Sequence, residues 1–136
     1  MKRVLLTGAS GFIGRHAHAP LVVRGYEVHA VSSQHSGEVP SGVRWHRANL
    51  LNSAETLRLM ADIRPTHLLH FAWNTEPGRF WHSPENFRWL EASIALLRHF
   101  REQGGERVVM AGSCAEYDWN FGYCSEAVKP CRPATP

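Results

Sequence analysis

Short apolar runs alternate along the chain with longer segments of mixed polarity, and the alternation predicts strands and helices. Five runs bounded by turn residues are predicted to be strands, namely Val4–Leu6, Glu27–Ser32, Val43–His46, Leu68–Ala72 and Arg107–Ala111. Between them the sequence predicts helices over 11–24, from Asn52 or Ser53 to Ile63, and from Ser83-Pro84 to Gly104-Gly105. Strands that alternate with helices favour a parallel, doubly wound sheet, with ligands at the carboxyl ends of its strands.

Three local signals refine the predicted helices. Pro20 removes one backbone donor, so the first helix is expected to bend near His16 before it stops at Gly25. If Asn52 is the cap of the second helix, Glu55 completes a capping box.

A glycine-rich turn directly follows the first strand. Gly8, Gly11 and Gly14 recur at a spacing of three, between that strand and the first helix. Glycine lets the backbone turn tightly and lets a phosphate approach the main chain, while free N–H groups at a helix N-terminus hold the anion. We therefore predict a diphosphate site here rather than an ordinary strand–helix turn.

The segment Thr7-Gly-Ala-Ser-Gly-Phe-Ile-Gly14 resembles the glycine motif of the extended short-chain dehydrogenase/reductase family. The family comprises nucleotide-sugar epimerases, dehydratases and ketoreductases, and the resemblance runs along essentially the whole chain. It implies a Rossmann-type α/β fold of three α/β/α layers, a bound nicotinamide cofactor, and hydride transfer at a sugar carbinol or ketone. Within the turn it assigns cofactor contacts to Gly8, Ser10, Gly11, Phe12, Ile13 and Gly14.

The end of the second strand bears on which nicotinamide cofactor binds. An NAD-specific site usually places Asp or Glu about 20 residues after the glycines, but Ser32, Ser33 and Gln34 stand there. No carboxylate repels a 2′-phosphate, two hydroxyls can donate to one, and Arg15 can add positive charge. We expect Ser32 and Ser33 to contact the cofactor and NADP to be preferred, with NAD as second choice; the alternative is that both serines merely begin a loop.

Two further strand ends resemble the family's cofactor contacts. After the third strand Asn49-Leu50 replaces the family's Asp-Leu, whose carboxylate contacts adenine; an amide can also donate and accept, although Asn49 can equally stabilise a turn. The fourth strand ends in a sequence similar to the one that lies beside the cofactor's diphosphate and ribose. The resemblance therefore adds the cofactor-binding residues Asn49, Leu50, Phe71, Ala72 and Trp73.

The aromatic residues that follow leave two interpretations open. Trp73, Phe80 and Trp81 either wall a sugar or nucleotide pocket or pack a long loop onto the domain. In the next helix Trp89 stands where the family has an Asn, so cofactor contacts from this helix are in doubt.

The fifth strand leads into the catalytic motif that the resemblance implies. Ser113 matches the family's catalytic Ser/Thr, which would hydrogen-bond the reacting oxygen and steer proton transfer; the alternative is a strand-end cap. Cys114-Ala115 replaces the Asp-Glu of dehydratases, so an epimerase or ketoreductase fits better than a dehydratase.

The family's Tyr-x-x-x-Lys motif is absent from these 136 residues, and 126–136 resembles the stretch just before it. We therefore expect residues 1–136 to be a Rossmann domain truncated at its C-terminal side, without the substrate lobe. A non-catalytic dinucleotide-binding module or redox sensor is the alternative.

Composition narrows the remaining classes. Hydrophobic residues make up 43% and charged residues 20%, and no apolar run approaches the roughly 20 residues of a membrane span. With no signal peptide visible and three cysteines without metal spacing, we expect a soluble, cytoplasmic protein with free thiols and no bound metal. The net charge of +3 comes from scattered residues, which favours a solvated surface over nucleic-acid binding. The expected partner is a nucleotide-sugar substrate, and a homodimer is left open.

Overall fold

Five parallel strands form a single sheet in the order β3-β2-β1-β4-β5 in the computed structural model, which describes residues 2–34 and 38–121. The strands are β1 Arg3–Thr7, β2 Glu27–Ser32, β3 Val43–Arg47, β4 His67–His70 and β5 Arg107–Met110. The helices are α1 His18–Val23, α2 Ser53–Ile63 and α3 Glu85–Glu102. The chain runs outward from β1 to β3 and then crosses to β4 on the other side, so the predicted doubly wound sheet is confirmed.

Alternation along β1 explains the three layers. Successive side chains of a strand point to opposite faces. Leu5 packs with apolar residues of α2 and α3, such as Met60 and Leu96. Val4 and Leu6 pack in the second cluster, which α1 covers on the other face. Helices therefore cover both faces of the sheet at β1. The edge strand β5 is exposed along all four of its residues.

The prediction of one continuous first helix over 11–24 was wrong. A 3₁₀ turn over Gly14–His16 is followed by α1, which has only six residues. The break falls at Ala17, next to the predicted bend. Pro20 lies in the first turn of α1, where its missing N–H would have had no partner within the helix. Gly25 has φ of 77° and ends the segment as predicted.

Asn52 caps α2, but the predicted capping box forms differently. Asn52 Oδ1 accepts from the N–H groups of Ala54 and Glu55 at 3.1 and 3.3 Å. The Glu55 carboxylate does not accept from the Asn52 backbone, because that N–H already donates to the Asn49 carbonyl at 2.9 Å. It accepts instead from the Asn49 N–H at 2.8 Å, which ties the loop after β3 to α2.

The Thr7 hydroxyl joins the ends of β1 and β4. Its oxygen accepts from the N–H groups of Phe71 and Ala72 at 3.1 and 3.2 Å, and it lies 2.6 Å from His70 Nδ1. A hydroxyl oxygen has two acceptor lone pairs and one hydrogen, so Thr7 must donate to His70 Nδ1. These side-chain bonds also explain why β4 ends at His70, two residues earlier than predicted, since the Ala72 N–H donates to the Thr7 side chain and not to the backbone of a neighbouring strand.

The direction of the Thr7–His70 hydrogen bond determines the directions of the other hydrogen bonds in a buried series that ends on α3. With Nδ1 as acceptor, His70 carries its proton on Nε2 and donates to Ser93 Oγ at 3.0 Å. Ser93 in turn donates to the Trp89 carbonyl at 2.8 Å, so the chain ends on α3. Burial lowers the pKa of His70 from 6.5 to about 4, which keeps its ring neutral in the role that the chain requires.

Thr7→Val should lower the free energy of unfolding by about 2–4 kcal/mol, because it leaves the partly buried Ala72 N–H and the buried His70 Nδ1 without their partner. Thr7→Ser keeps the hydroxyl and should retain most of that stability. The exposed Thr75, changed to Val, serves as control and should stay within about 0.5 kcal/mol of the unmodified protein. Denaturant titration measures all three, and a Thr7→Val protein as stable as the control would contradict the assigned chain.

The free energy of unfolding should also fall as the pH is lowered, because of His70. Between pH 6.5 and about pH 4 the unfolded chain binds a proton at His70 that the folded chain does not bind. The stabilising contribution of His70 is therefore complete above pH 6.5 and is lost as the pH falls from 6.5 to about 4. The loss is on the order of 3 kcal/mol. Burial also lowers the pKa of His29 and of His46, which act in the same direction. Unfolding free energies from pH 7.5 to 4.5 should show a shallower fall in His70→Asn, and an unchanged slope would refute the assignment.

Candidate functional site

A cavity of about 450 Å³ lies where the carboxyl ends of β4 and β5 meet the glycine turn. Its walls come from the turn, the loop after β4, the start of α3 and the loop after β5. It brings together five of the predicted site residues, namely Ile13, Phe71, Ala72, Trp73 and Ser113. This is the edge of the sheet at which the parallel topology predicts ligands.

The three glycines of the turn have different structural roles. Gly8 has φ of 63°, and a Cβ there would lie 2.8 Å from the Ala72 backbone nitrogen. A Cβ on Gly14 would lie 2.1 Å from the Gly8 oxygen. Gly11 is exposed, and its Cβ would meet only that same oxygen, at 3.1 Å. Gly8 and Gly14 are thus required by packing within the protein, whereas Gly11 leaves open space on the outside of the turn.

The turn presents unpaired backbone donors. Gly11 N–H donates back to the Gly8 oxygen at 3.0 Å, but the N–H groups of Phe12 and Ile13 have no partner within residues 2–34 and 38–121. The Phe12 and Ile13 side chains are 77% and 59% exposed. Because the first helix is broken, these amides and the open face of Gly11, rather than a long helix dipole, make the turn suitable for an anion.

Ser32 and Ser33 differ at the end of β2. Ser32 Oγ donates to the Gln34 carbonyl at 2.7 Å and lies 3.3 Å from Ser10 Oγ, so its hydrogen is used within the loop. Ser33 is exposed, and its hydroxyl has no partner among the residues that the structure describes. Arg15, which directly follows Gly14, is exposed, and its guanidinium carbon lies 5.0 Å from the Phe12 ring centre.

Asn49 and Leu50 lie beyond the end of β3. Asn49 Oδ1 accepts from the Leu51 N–H at 3.0 Å, so Asn49 stabilises a turn, as the alternative interpretation proposed. Its amide nitrogen remains available to donate. Leu50 is 8% exposed and packs in the core with Leu59. Its side chain therefore offers no surface to a cofactor, and only its backbone can do so.

Ser113 lies exposed at the end of β5. Its Oγ accepts from the Ala115 N–H at 3.1 Å, and its hydrogen has no acceptor within the described part of the chain. A ligand oxygen in the cavity can therefore receive that hydrogen. The strand-end cap and the predicted catalytic role are compatible, because the cap uses only a lone pair.

The three aromatic residues that the sequence singled out, Trp73, Phe80 and Trp81, all line the cavity, so they wall a pocket. Asn86 and Glu116 line it as well, and the sequence analysis did not name them as site residues. A polar residue in the first turn of a helix at the ligand edge was the available signal for Asn86, but its burial depends on the loop that folds over it.

The two histidines of β4 face opposite sides of the sheet: His70 reaches Ser93 on α3, and the His67 ring lies 5.2 Å from that of Tyr26. The segment 126–136, which resembles the stretch before the family's Tyr-x-x-x-Lys motif, lies outside the described residues.

Neither a metal cluster nor a membrane span is found in 2–34 and 38–121. No three His, Cys, Asp or Glu side chains there are grouped to hold an ion. No helix in that part of the chain has the length and hydropathy needed to cross a membrane.

Known proteins resemble this chain over nearly all of its length. A dTDP-6-deoxy-L-talose 4-dehydrogenase (NAD(+)) of Aggregatibacter actinomycetemcomitans is 26% identical over 98% of the chain and 49% of its own length. A UDP-glucose 4-epimerase of Streptomyces lividans is 28% identical over 98% of the chain and 43% of its own. The chain thus spans about half the length of these relatives.

Solved structures give the same picture. The Thermus thermophilus UDP-glucose 4-epimerase, in complex with NAD, superposes with a TM-score of 0.82 at 31% identity over 98% of this chain and 45% of that one. The Bordetella bronchiseptica enzyme WbmG, in complex with NAD and UDP, has a TM-score of 0.81 at 19% identity, over 98% and 44% of the two chains, and shares the fold. The NAD dependent epimerase/dehydratase family model matches residues 4–136, and the chain therefore belongs to that family.

Proposed function

We propose that the protein carrying this chain is a nicotinamide-dinucleotide-dependent epimerase or ketoreductase of nucleotide sugars. The chain supplies the cofactor-binding portion. The observation that carries the proposal is that Ile13, at the end of the glycine turn, and Ser113 line one cavity. Family membership supports it, as do the names of relatives, which include UDP-glucose 4-epimerases and a 4-dehydrogenase of a deoxysugar nucleotide.

The glycine turn would hold the cofactor's diphosphate. The open face of Gly11 admits a phosphate, and the unpaired N–H groups of Phe12 and Ile13 can donate to its oxygens. Phe71, Ala72 and Trp73 would lie beside the cofactor's ribose, and Asn49 can donate to its adenine. A dinucleotide held there would supply the hydride chemistry that interconverts a sugar carbinol and the corresponding ketone.

We propose NADP ahead of NAD as the cofactor. Ser33 keeps a free hydroxyl, Arg15 can supply positive charge, and no carboxylate stands at 32–34 to repel a 2′-phosphate. Two solved relatives are in complex with NAD, so the preference is a proposal about this chain's own residues.

Ser113 would act on the reacting oxygen of the sugar. Its hydroxyl hydrogen is available in the cavity, so it can donate to a ketone oxygen or orient a carbinol. The 136 residues contain no Tyr-x-x-x-Lys to act as proton acceptor, so we expect no turnover from this chain alone. Catalysis is proposed for the full-length gene product.

Calorimetric titration with NADP and NAD tests the cofactor site. We expect both to bind, NADP more tightly, and Gly11→Ala to weaken both by about tenfold because its methyl group occupies the space where the phosphate approaches. Gly11→Ala meets only a 3.1 Å contact, so its unfolding free energy in the absence of ligand should stay within about 1 kcal/mol and serves as control. Folded protein that binds neither dinucleotide would refute the proposal.

Steady-state kinetics of the full-length gene product tests the role of Ser113. With nucleotide hexoses as substrates, Ser113→Ala should lower kcat by about 10²-fold with little change in KM, because the hydroxyl acts on the reacting oxygen. The neighbouring Cys114→Ala, on an exposed side chain, is the matched control and should keep full activity. Dinucleotide binding without turnover in the unmodified protein would favour the non-catalytic module instead.

A further inference from the structure

Asn86, the second residue of α3, carries an unused hydrogen-bond acceptor at the cavity. The residue is 5% exposed and lines the cavity. Its Nδ2 donates to the Phe80 carbonyl at 2.7 Å. A carbonyl can only accept, so this bond fixes which atom of the amide is nitrogen and which is oxygen. The remaining atom, Oδ1, is buried and has no partner among residues 2–34 and 38–121.

An acceptor in that position requires a donor from outside the described protein. A buried acceptor without a partner costs about 1–3 kcal/mol, and buried polar atoms in native proteins are nearly always paired. The other amide at the cavity differs: Asn74 Oδ1 already accepts from the Glu76 N–H at 3.2 Å. Of these two asparagines, therefore, Asn86 is the one whose side-chain oxygen lacks a hydrogen-bond donor among the described residues.

The surroundings of Asn86 indicate what kind of group brings that hydrogen. Trp73 and Trp81 are 40% and 44% exposed at the cavity, and the Phe80 ring centre lies 4.7 Å from that of Trp81. Aromatic faces suit the C–H face of a sugar ring, whose hydroxyls are the donors, and the volume of about 450 Å³ is typical of a small-molecule site.

We propose that Asn86 is a specificity-determining residue whose Oδ1 accepts a hydrogen bond from a hydroxyl of the substrate's hexose ring. The inference rests on the proposed function, because Ser113 acts on an oxygen of that ring and lines the same cavity. The aromatic side chains pack against the ring, and Asn86 selects rings with a hydroxyl at one position.

A binding cycle separates this role from a structural one. The full-length gene product, loaded with its dinucleotide, is titrated with UDP-glucose and with analogues in which one hydroxyl at a time is replaced by fluorine, which cannot donate. In the unmodified protein one analogue should bind about 3- to 10-fold more weakly than UDP-glucose. In Asn86→Ala that difference should disappear, since the acceptor is gone.

The bond to Phe80 is also lost in Asn86→Ala, but its loss weakens every analogue equally and leaves their ratios unchanged. Asn74→Ala is the matched control, because its oxygen is already paired; it should keep the full discrimination of the unmodified protein. If Asn86→Ala does not fold, Asn86→Leu, of similar volume, replaces it.

The outcomes distinguish the inference from the function on which it rests. Folded protein that binds neither dinucleotide nor UDP-glucose would refute both. Protein that binds both, but whose analogues keep the same ratios in Asn86→Ala as in the unmodified chain, would refute the inference alone. So would an unmodified protein in which no single fluorinated analogue loses affinity.

Discussion

The Thr7 hydroxyl holds the ends of two neighbouring strands and, through His70, the helix beyond them. Its oxygen accepts two N–H groups of the chain that leaves β4, and its hydrogen goes to His70 Nδ1. Because the Thr7 oxygen has no lone pair left, the direction of each further hydrogen bond is determined: His70 must be neutral, must carry its proton on Nε2, and must donate to Ser93. One hydroxyl group therefore determines where β4 stops and how α3 is anchored at the ligand edge.

That anchoring explains the glycine turn. With Phe71 and Ala72 held against β1, the backbone after Thr7 has no room for a side chain, and a Cβ on Gly8 would lie 2.8 Å from Ala72. The turn then closes on itself, so Gly14 is constrained by the Gly8 oxygen. The motif is therefore a packing requirement between β1 and β4, whatever it binds. Of the three glycines only Gly11 leaves room for the proposed phosphate, so its substitution tests binding with little effect on folding.

The regular elements could be predicted because their signals are local. β2 was predicted with its observed bounds, since its apolar run ends in turn residues. Asn52, the observed cap, was one of the two candidates, with Ser53, from its place before a helix. Predictions failed where a distant group decides the outcome. The first helix was broken by the turn that folds back onto Gly8, and Glu55 bonds to Asn49 because the expected N–H was already used.

The residues of the site show the same difference between local sequence signals and contacts made by folding. The sequence identified Ser113 and the aromatic residues from their positions after strands, but it could not identify Asn86, whose role depends on the Phe80 carbonyl folded over it. Ser113 brings an unused donor to the cavity, and Asn86, which also lines it, has a buried oxygen without a partner among the described residues. A carboxylate, or the diphosphate of a dinucleotide, can satisfy the donor only and would leave the Asn86 oxygen unpaired, at a cost of about 1–3 kcal/mol. A ring that carries both a ketone or carbinol oxygen and a further hydroxyl satisfies both, and the aromatic walls match its C–H face, so the polar groups of the cavity favour a sugar over a simple anion.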